Sequence, residues 1–435
     1  MNMRIGIRRE TKNEWEKRTP LTPDNVKELI KNGIEVWLQP SAIRVFPDDE
    51  YLKIGAIINE DLSSCPVIIA VKEIPLDYFE LNKTYIFFSH TIKGQDYNMP
   101  LLKKMMGLKC QLIDYEAITD AKGRRLIFFG KHAGLAGMID TFCTLGKRLN
   151  WEDIKNPFSE IKMAHEYKSL DEAKSDIAEA ADRVRKEGIP SELLPMICGF
   201  AGYGNVSNGA QEIFNLFPHE QAAPSEIAKI KISSKTTREK LFKVIFKEED
   251  IVEPIDSKKS FELQDYYDNP QNYRSRFENY LPHLTILMNC IYWTPDYPRL
   301  VTFDYLKKAY SGPEKPRLKV IGDISCDIDG SIQCTAKATD SGNPVYVYNP
   351  LESKVIDGWE GLGPVIMAVD NLPCELPKES SEFFGKMLSP FIQRMIKADY
   401  SVPFEDLNIP DEIKRAIILH KGELTSKYKY LSKFL

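Results

Sequence analysis

One stretch constrains the fold more than any other. It runs Met196-Ile197-Cys198-Gly199-Phe200-Ala201-Gly202-Tyr203-Gly204-Asn205-Val206-Ser207-Asn208-Gly209-Ala210. An apolar run that enters a glycine turn and then opens a helix is the start of a strand–turn–helix unit of the dinucleotide-binding kind. Gly202 supplies the tight turn and Gly204 lets backbone approach a pyrophosphate. Asn205 and Val206 stand at the helix N-terminus, where oriented N–H groups and partial positive charge favour an anion. The third glycine position holds Ser207, and Gly209 comes two residues late. Taken alone, the stretch is either a dinucleotide loop or a strand–helix turn with no ligand, and its helix is expected over Ala210 to Phe217.

The rest of the chain alternates in the same way, short apolar runs with helix-like segments, which reads as α/β with largely parallel sheets. Ile5 to Arg8 is strand-like. Thr22-Pro23-Asp24 then offers an N-cap, a proline in the first turn and an early acid, and Gly33 closes that helix. Ile34 to Leu38, Val67–Val71, Tyr85–Phe88 and Leu112–Tyr115 are further strands, so a first α/β domain spans residues 1–140. Lys131 to Trp151 reads as a helical connector and Leu170 to Glu187 as a solvated helix. The second domain spans residues 141–372, with later strands at Leu318–Ile321 and Val365–Val369. Glu253 to Arg299 reads as irregular, its aromatics a satellite core rather than a lid. From Pro373 the helical spacing of Phe384, Leu388 and Ile392 suggests a return to the first domain over 373–435.

In the dinucleotide fold an acid about 20 residues beyond the glycines holds the adenosine ribose. Here that region reads His219-Glu220-Gln221-Ala222-Ala223-Pro224-Ser225-Glu226, followed by the cations Lys229, Lys231, Lys235 and Arg238. A small hydroxyl residue, Ser225, with cations behind it favours a 2′-phosphate. The expectation is NADPH/NADP, with NAD as the alternative.

Bulk properties exclude other classes. A net charge of −5 gives no reason to expect nucleic acid or an anionic membrane as partner. No apolar stretch approaches the ~20 residues of a membrane span, and Met1 to Ile7 lacks the pattern of a signal peptide. The eight cysteines form no CxxC pair and no His cluster stands near them, so no metal site is expected and buried thiols in a reducing, cytoplasmic setting are.

Three features of the first domain carry chemistry: Arg9-Glu10-Thr11-Lys12 with Glu16-Lys17-Arg18-Thr19-Pro20-Leu21-Thr22-Pro23, then Val71-Lys72-Glu73, then Phe87-Phe88-Ser89-His90-Thr91-Ile92-Lys93. On residue type alone, Lys72 could be a surface lysine, Glu73 its partner, and Arg124 or Arg125 a surface charge. Together the three features resemble the substrate domain of the alanine dehydrogenase/transhydrogenase superfamily. The similarity is closer to the saccharopine dehydrogenase and lysine–ketoglutarate reductase branch. There the likeness rests on Asp114-Tyr115-Glu116, Gly123-Arg124-Arg125, the run Gly130 to Gly137, Gly209 to Phe214, Ile291-Tyr292-Trp293, Asp323 to Asp327 and Val369 to Pro373. It runs from about residue 3 to Tyr430 and is similar to the reductase half of bifunctional aminoadipic semialdehyde synthases.

The resemblance implies two Rossmann-like domains with an interdomain cleft. Lysine and 2-oxoglutarate would condense to an imine, reduced by hydride from the nicotinamide to saccharopine. Lys72 and His90 match the paired acid–base residues and Arg18 a carboxylate binder. Glu16, Glu73, Lys93, Glu116, Arg125 and Asp370 match residues that line the site or tune its charge, and Asp323 lies at a strand end near the nicotinamide. The chain ends at Leu435 without room for a second enzyme half, so a separate saccharopine-oxidising enzyme is expected; no mitochondrial leader is seen. A homo-oligomer is an open option. The rivals are an NAD-dependent, lysine-forming saccharopine dehydrogenase and a non-catalytic dinucleotide-binding protein.

Overall fold

The structure, a computed structural model, describes residues 3–230 and 235–435; Lys231, one of the cations after Ser225, lies outside the described residues. The apolar runs at the start of the chain form β1 (Arg4–Ile7), β2 (Glu35–Leu38), β3 (Ile57–Ile58), β4 (Val67–Ile69), β5 (Thr84–Phe87) and β6 (Gln111–Asp114). These strands pair in parallel in the order β3-β2-β1-β4-β5-β6. β4, β5 and β6 are buried throughout, as the near-continuous apolar character of a parallel sheet covered on both faces requires. The helix Pro23–Lys31 begins where Thr22 caps it, with Pro23 in its first turn, and Gly33 leaves it at φ +77°.

The middle of the chain builds a second sheet from β7 (Ile197–Ala201), β8 (His219–Gln221), β9 (Leu241–Phe246), β12 (Ile286–Asn289), β13 (Val320–Asp323), β14 (Val345–Asn349), β15 (Lys354–Asp357) and β16 (Val365–Met367). A separate hairpin joins β10 (Val252–Pro254) to β11 (Tyr273–Ser275). The sheet order is β15-β14-β16-β13-β12-β7-β9-β8, parallel from β8 to β16 with β14 and β15 antiparallel at the other edge. Finally β17 (Ile417–His420) and β18 (Glu423–Leu424) return to the first sheet, antiparallel beside β6.

Two units result: Met1–Phe129 with Pro377–Leu435, and Gly130–Leu376. The long helix Gly130–Trp151 lies wholly in the second unit, where a connector was expected. Its glycines explain this. A Cβ on Gly134 would stand 1.9 Å from the carbonyl oxygen of Val206, and one on Gly209 would stand 2.1 Å from that of Lys131. The helix therefore crosses the glycine-loop helix Asn205–Phe214 at backbone contact, a close packing that only glycine permits. That second helix begins five residues earlier than its spacing suggested.

One expectation about the second unit needs correction, and two of its strands, β8 and β9, went unnamed in the sequence reading. β9 lies beside β7, although Lys243 interrupts its apolar run, and β12 lies inside the segment read as irregular. β8, the strand that follows the glycine-loop helix, is displaced to the sheet edge. The aromatics of the remaining segment do form a core, with Tyr266, Tyr273 and Phe277 buried.

Candidate active site

In the first unit the reactive side chains gather just beyond the C-terminal ends of β4, β5 and β6, the end where open α/β sheets bind ligands. Pairing continues past β4 and β5, with Ala70 N–H donating to Ile86 O at 3.2 Å and Phe88 N–H to Val71 O at 3.1 Å. This carries Lys72 and His90 out of the sheet on adjacent strands. His90 adopts φ +52°, the left-handed region that non-glycine residues rarely occupy. Its ring stacks on Phe88, centroids 6.1 Å apart. Its Nε2 lies 3.4 Å from Glu73 Oε1 and its Nδ1 3.8 Å from Glu116 Oε2. The imidazole is thus held between two carboxylates.

Lys72 is half-buried, and that burial, then the charges of Arg18 and Lys12, lowers its pKa against the opposing pull of Glu73 and Glu16. Glu116 is buried, which raises its pKa, but His90, Arg125 and Lys93 outweigh this and hold it below the ordinary value. Arg125 donates directly to Glu116, while Lys93 is exposed.

Arg18 and Glu16 engage each other. Nε of Arg18 donates to Oε1 at 2.7 Å and Nη2 to Oε2 at 2.6 Å, with the two side chains 1% and 0% exposed. The guanidinium also sits 4.4 Å over the Phe129 ring, which stacks on Phe384. The fork expected to clamp a substrate carboxylate engages Glu16 here; Lys12, Lys93 and Arg125 are exposed cations at the cluster.

Two acids beneath the cluster had no role in the sequence reading. Glu10 is buried and accepts the N–H groups of Val71 and Lys72. Asp114, at the end of β6, accepts Ser89 N–H at 3.0 Å through Oδ2 and Glu116 N–H at 2.8 Å through Oδ1. Burial lifts its pKa to about 6. Both sit where a strand ends with N–H groups still to satisfy.

In the second unit Gly202 has φ +95° and its N–H donates to Phe246 O at 3.0 Å, which fixes the turn against β9. Gly204 precedes the helix, and a Cβ there would meet nothing within 4 Å, so this face of the turn is open. Asn205 and Val206 form the first helical turn. A cavity of about 450 Å³ adjoins Gly202 and Gly204, lined chiefly by Tyr203, Phe246, Glu248, Tyr267, Ile291 and Trp293. Its size is that of a small-molecule site. Open backbone at a helix N-terminus with an aromatic cavity beside it fits a dinucleotide.

Ser225 lies elsewhere: it follows β8 in the short turn Pro224–Lys229, two strands from β7. Two residues beyond the end of β9, the strand adjoining β7, Glu248 opens a short helix; the sequence reading named neither. Asp323 is sealed at 0% exposure. Its carboxylate accepts from Asn289 Nδ2 at 2.7 Å, Thr335 Oγ1 and Cys326 N–H, so it ties β12 to β13 and presents no surface to a ligand. Burial raises its pKa to about 6. Asp370 is exposed beyond β16 and belongs to the second unit, apart in the chain from the Lys72 cluster. No group of acids, cysteines and histidines that could hold a metal occurs among the described residues. No described helix is long and apolar enough to cross a membrane.

The fold is of the alanine dehydrogenase class. Residues 6–136 match the family model of the alanine dehydrogenase/PNT N-terminal domain. An L-alanine dehydrogenase superposes with TM-score 0.61 at 16% identity over 99% of this chain and 98% of its own. The transhydrogenase from Sinorhizobium meliloti gives 0.56 at 16% identity, over 97% and 99%. By sequence the chain is 37% identical to alpha-aminoadipic semialdehyde synthase of Arabidopsis thaliana, covering 98% of this chain and 41% of that protein. The mitochondrial mouse protein of the same name is 36% identical, over 99% and 47%. The chain thus spans less than half the length of these relatives. A saccharopine dehydrogenase (NAD(+), L-lysine-forming) of Yarrowia lipolytica is 27% identical over 91% of this chain and 93% of its own.

Proposed function

We propose that the chain is a nicotinamide-dependent oxidoreductase acting on a CH–NH bond, which joins L-lysine to 2-oxoglutarate and reduces the imine to saccharopine. One observation carries the reading: Lys72, Glu73, His90 and Glu116 converge at the ends of adjacent strands, with His90 between the two acids. The substrates are taken from the similarity to alpha-aminoadipic semialdehyde synthases, which covers nearly all of this chain and less than half of theirs.

The chemistry asks for groups that exchange protons near neutrality. The substrate ε-ammonium must lose a proton before its nitrogen attacks the keto carbon, and the resulting carbinolamine must gain one to expel water. Lys72, its pKa lowered chiefly by burial, releases its proton more readily than an ordinary lysine and so is more often neutral and able to accept one. His90, with a carboxylate on each side, is placed to pass a proton to or from the reacting groups. Lys93 and Arg125 meet the substrate carboxylates, and Glu73 and Glu116 the amino groups. Gly202, Gly204, Asn205 and Val206 would hold the pyrophosphate of a nicotinamide dinucleotide, which when bound supplies the hydride.

The lysine-forming direction is the second reading, favoured by the match of the Yarrowia lipolytica protein over nearly the whole of both chains. The deciding experiment offers purified protein lysine with 2-oxoglutarate and either reduced dinucleotide. Absorbance loss that requires both substrates, with saccharopine identified by mass, supports the proposal. Loss with ornithine, glyoxylate or pyruvate instead would reassign the substrate. Cofactor binding without turnover would leave a dinucleotide-binding protein.

A further inference from the structure

We infer that Glu248 selects the unphosphorylated dinucleotide, NAD(H) over NADP(H), by accepting the adenosine ribose hydroxyls in the cavity beside the glycine turn. The inference rests on the proposed dinucleotide site and settles which form of the cofactor it takes.

Topology makes the first argument. In a doubly wound sheet the ribose lies across the end of the strand adjoining the glycine-turn strand. Here that strand is β9, whose Phe246 carbonyl accepts the Gly202 N–H. Glu248 follows Phe246 by two residues and lines the same cavity as Gly202 and Gly204. Its Oε1 accepts the Tyr267 hydroxyl at 2.8 Å, which orients the carboxylate on the cavity wall.

Charge makes the second. Among the described residues lining the cavity Glu248 is the one with a charged side chain; the rest of the wall is aromatic, aliphatic, glycine, Cys290 and Pro298. A carboxylate accepts hydrogen bonds from a ribose diol. It repels a 2′-phosphate, which carries close to two negative charges and is ordinarily met by arginine or lysine. Glu249 and Asp250 follow, so the end of β9 adds no compensating arginine. Lys247 is exposed at the surface and Ser225 stands beyond β8.

The test measures binding of NADH and NADPH to the full chain by nicotinamide fluorescence, without substrates. NADH should bind about 10–100-fold tighter, the worth of charged hydrogen bonds to the ribose. Glu248→Gln, nearly isosteric, should narrow that ratio, and Glu248→Arg should reverse it, in variants whose thermal melting matches the parent. Equal binding of the two dinucleotides, tighter NADPH, or a ratio unmoved by both substitutions would overturn the inference. Selective NADH binding without lysine- and 2-oxoglutarate-dependent turnover would uphold it while removing the proposed reaction.

Discussion

Glu10 holds the backbone of Lys72. One carboxylate oxygen accepts the Val71 N–H at 2.6 Å and the other accepts the Lys72 N–H at 3.0 Å, in a site sealed from solvent. The strand end that presents the reactive amine is therefore built on a buried acid. Burial, then the charge of Glu16, raises that acid to about 7 against the lowering effect of the two N–H groups.

Replacing Glu10 with alanine orphans both N–H groups and should cost about 2–4 kcal/mol in urea unfolding. The pH dependence has a definite sign. A carboxyl whose pKa is about 7 folded and near 4.5 otherwise binds more proton in the folded state between those values. Its contribution to stability is present below about pH 4.5 and is lost as pH rises through 7. The stability difference between the parent and Glu10→Gln should therefore shrink from pH 5 to pH 8. A constant difference would show that Glu10 does not titrate in that window.

His90 lies between Glu73 and Glu116, so its removal takes away the proton carrier and leaves two acids facing each other. His90→Ala should lower turnover by about 10²–10⁴-fold. Dinucleotide affinity should be intact, since the glycine turn belongs to the other unit. Unchanged turnover would remove His90 from the reaction.

The pairing of Arg18 with Glu16 gives a prediction in two observables. Removing one member of a buried ion pair costs the attraction and leaves the other charge less compensated, so Glu16→Ala should destabilise by about 3–5 kcal/mol. The charge of Glu16 also raises the pKa of Lys72. Its neutral replacement Glu16→Gln should move whichever limb of the pH–rate profile reports Lys72 towards lower pH. A limb that stays in place would mean that Lys72 does not govern it.

Five strands of the first sheet, β1, β2, β4, β5 and β6, could be read from sequence because each carries a short apolar run, and the first helix because Thr22, Pro23 and Gly33 bound it; β3, β17 and β18 were not read. β9 could not be read. Lys243 breaks its run, yet the residue is 7% exposed and its Nζ reaches Asn215 Oδ1 at 3.0 Å, so the stem packs as apolar while the amine finds a partner. With that strand missed, the ribose position was sought at Ser225, which follows β8 at the sheet edge rather than the strand adjoining β7. The association of Lys72 with His90 followed from family resemblance alone, since no local pattern links residues on different strands. The closure of Arg18 on Glu16 depends on loop geometry two residues apart, which no periodicity encodes. Gly209 looked like a misplaced third glycine; its contact is the helix Gly130–Trp151, which lies far from it in the chain.

That contact yields the last prediction. A Cβ on Gly134 would meet the Val206 carbonyl oxygen at 1.9 Å and the Ala210 nitrogen at 2.7 Å, both helix backbone that cannot turn aside. Gly134→Ala must push the two helices apart, at a cost of about 1–3 kcal/mol for an overpacked contact. Because Val206 belongs to the turn proposed to hold the pyrophosphate, dinucleotide affinity should fall about tenfold, equivalent to ~1.4 kcal/mol. Gly107 provides the control. It also lies in a helix, Met99–Gly107, but a Cβ there meets nothing within 4 Å. Gly107→Ala should change stability by less than about 1 kcal/mol and leave dinucleotide binding alone. Equal effects of the two substitutions, read by thermal melting and cofactor titration, would mean that the backbone contact at Gly134 does not set the position of the glycine-loop helix.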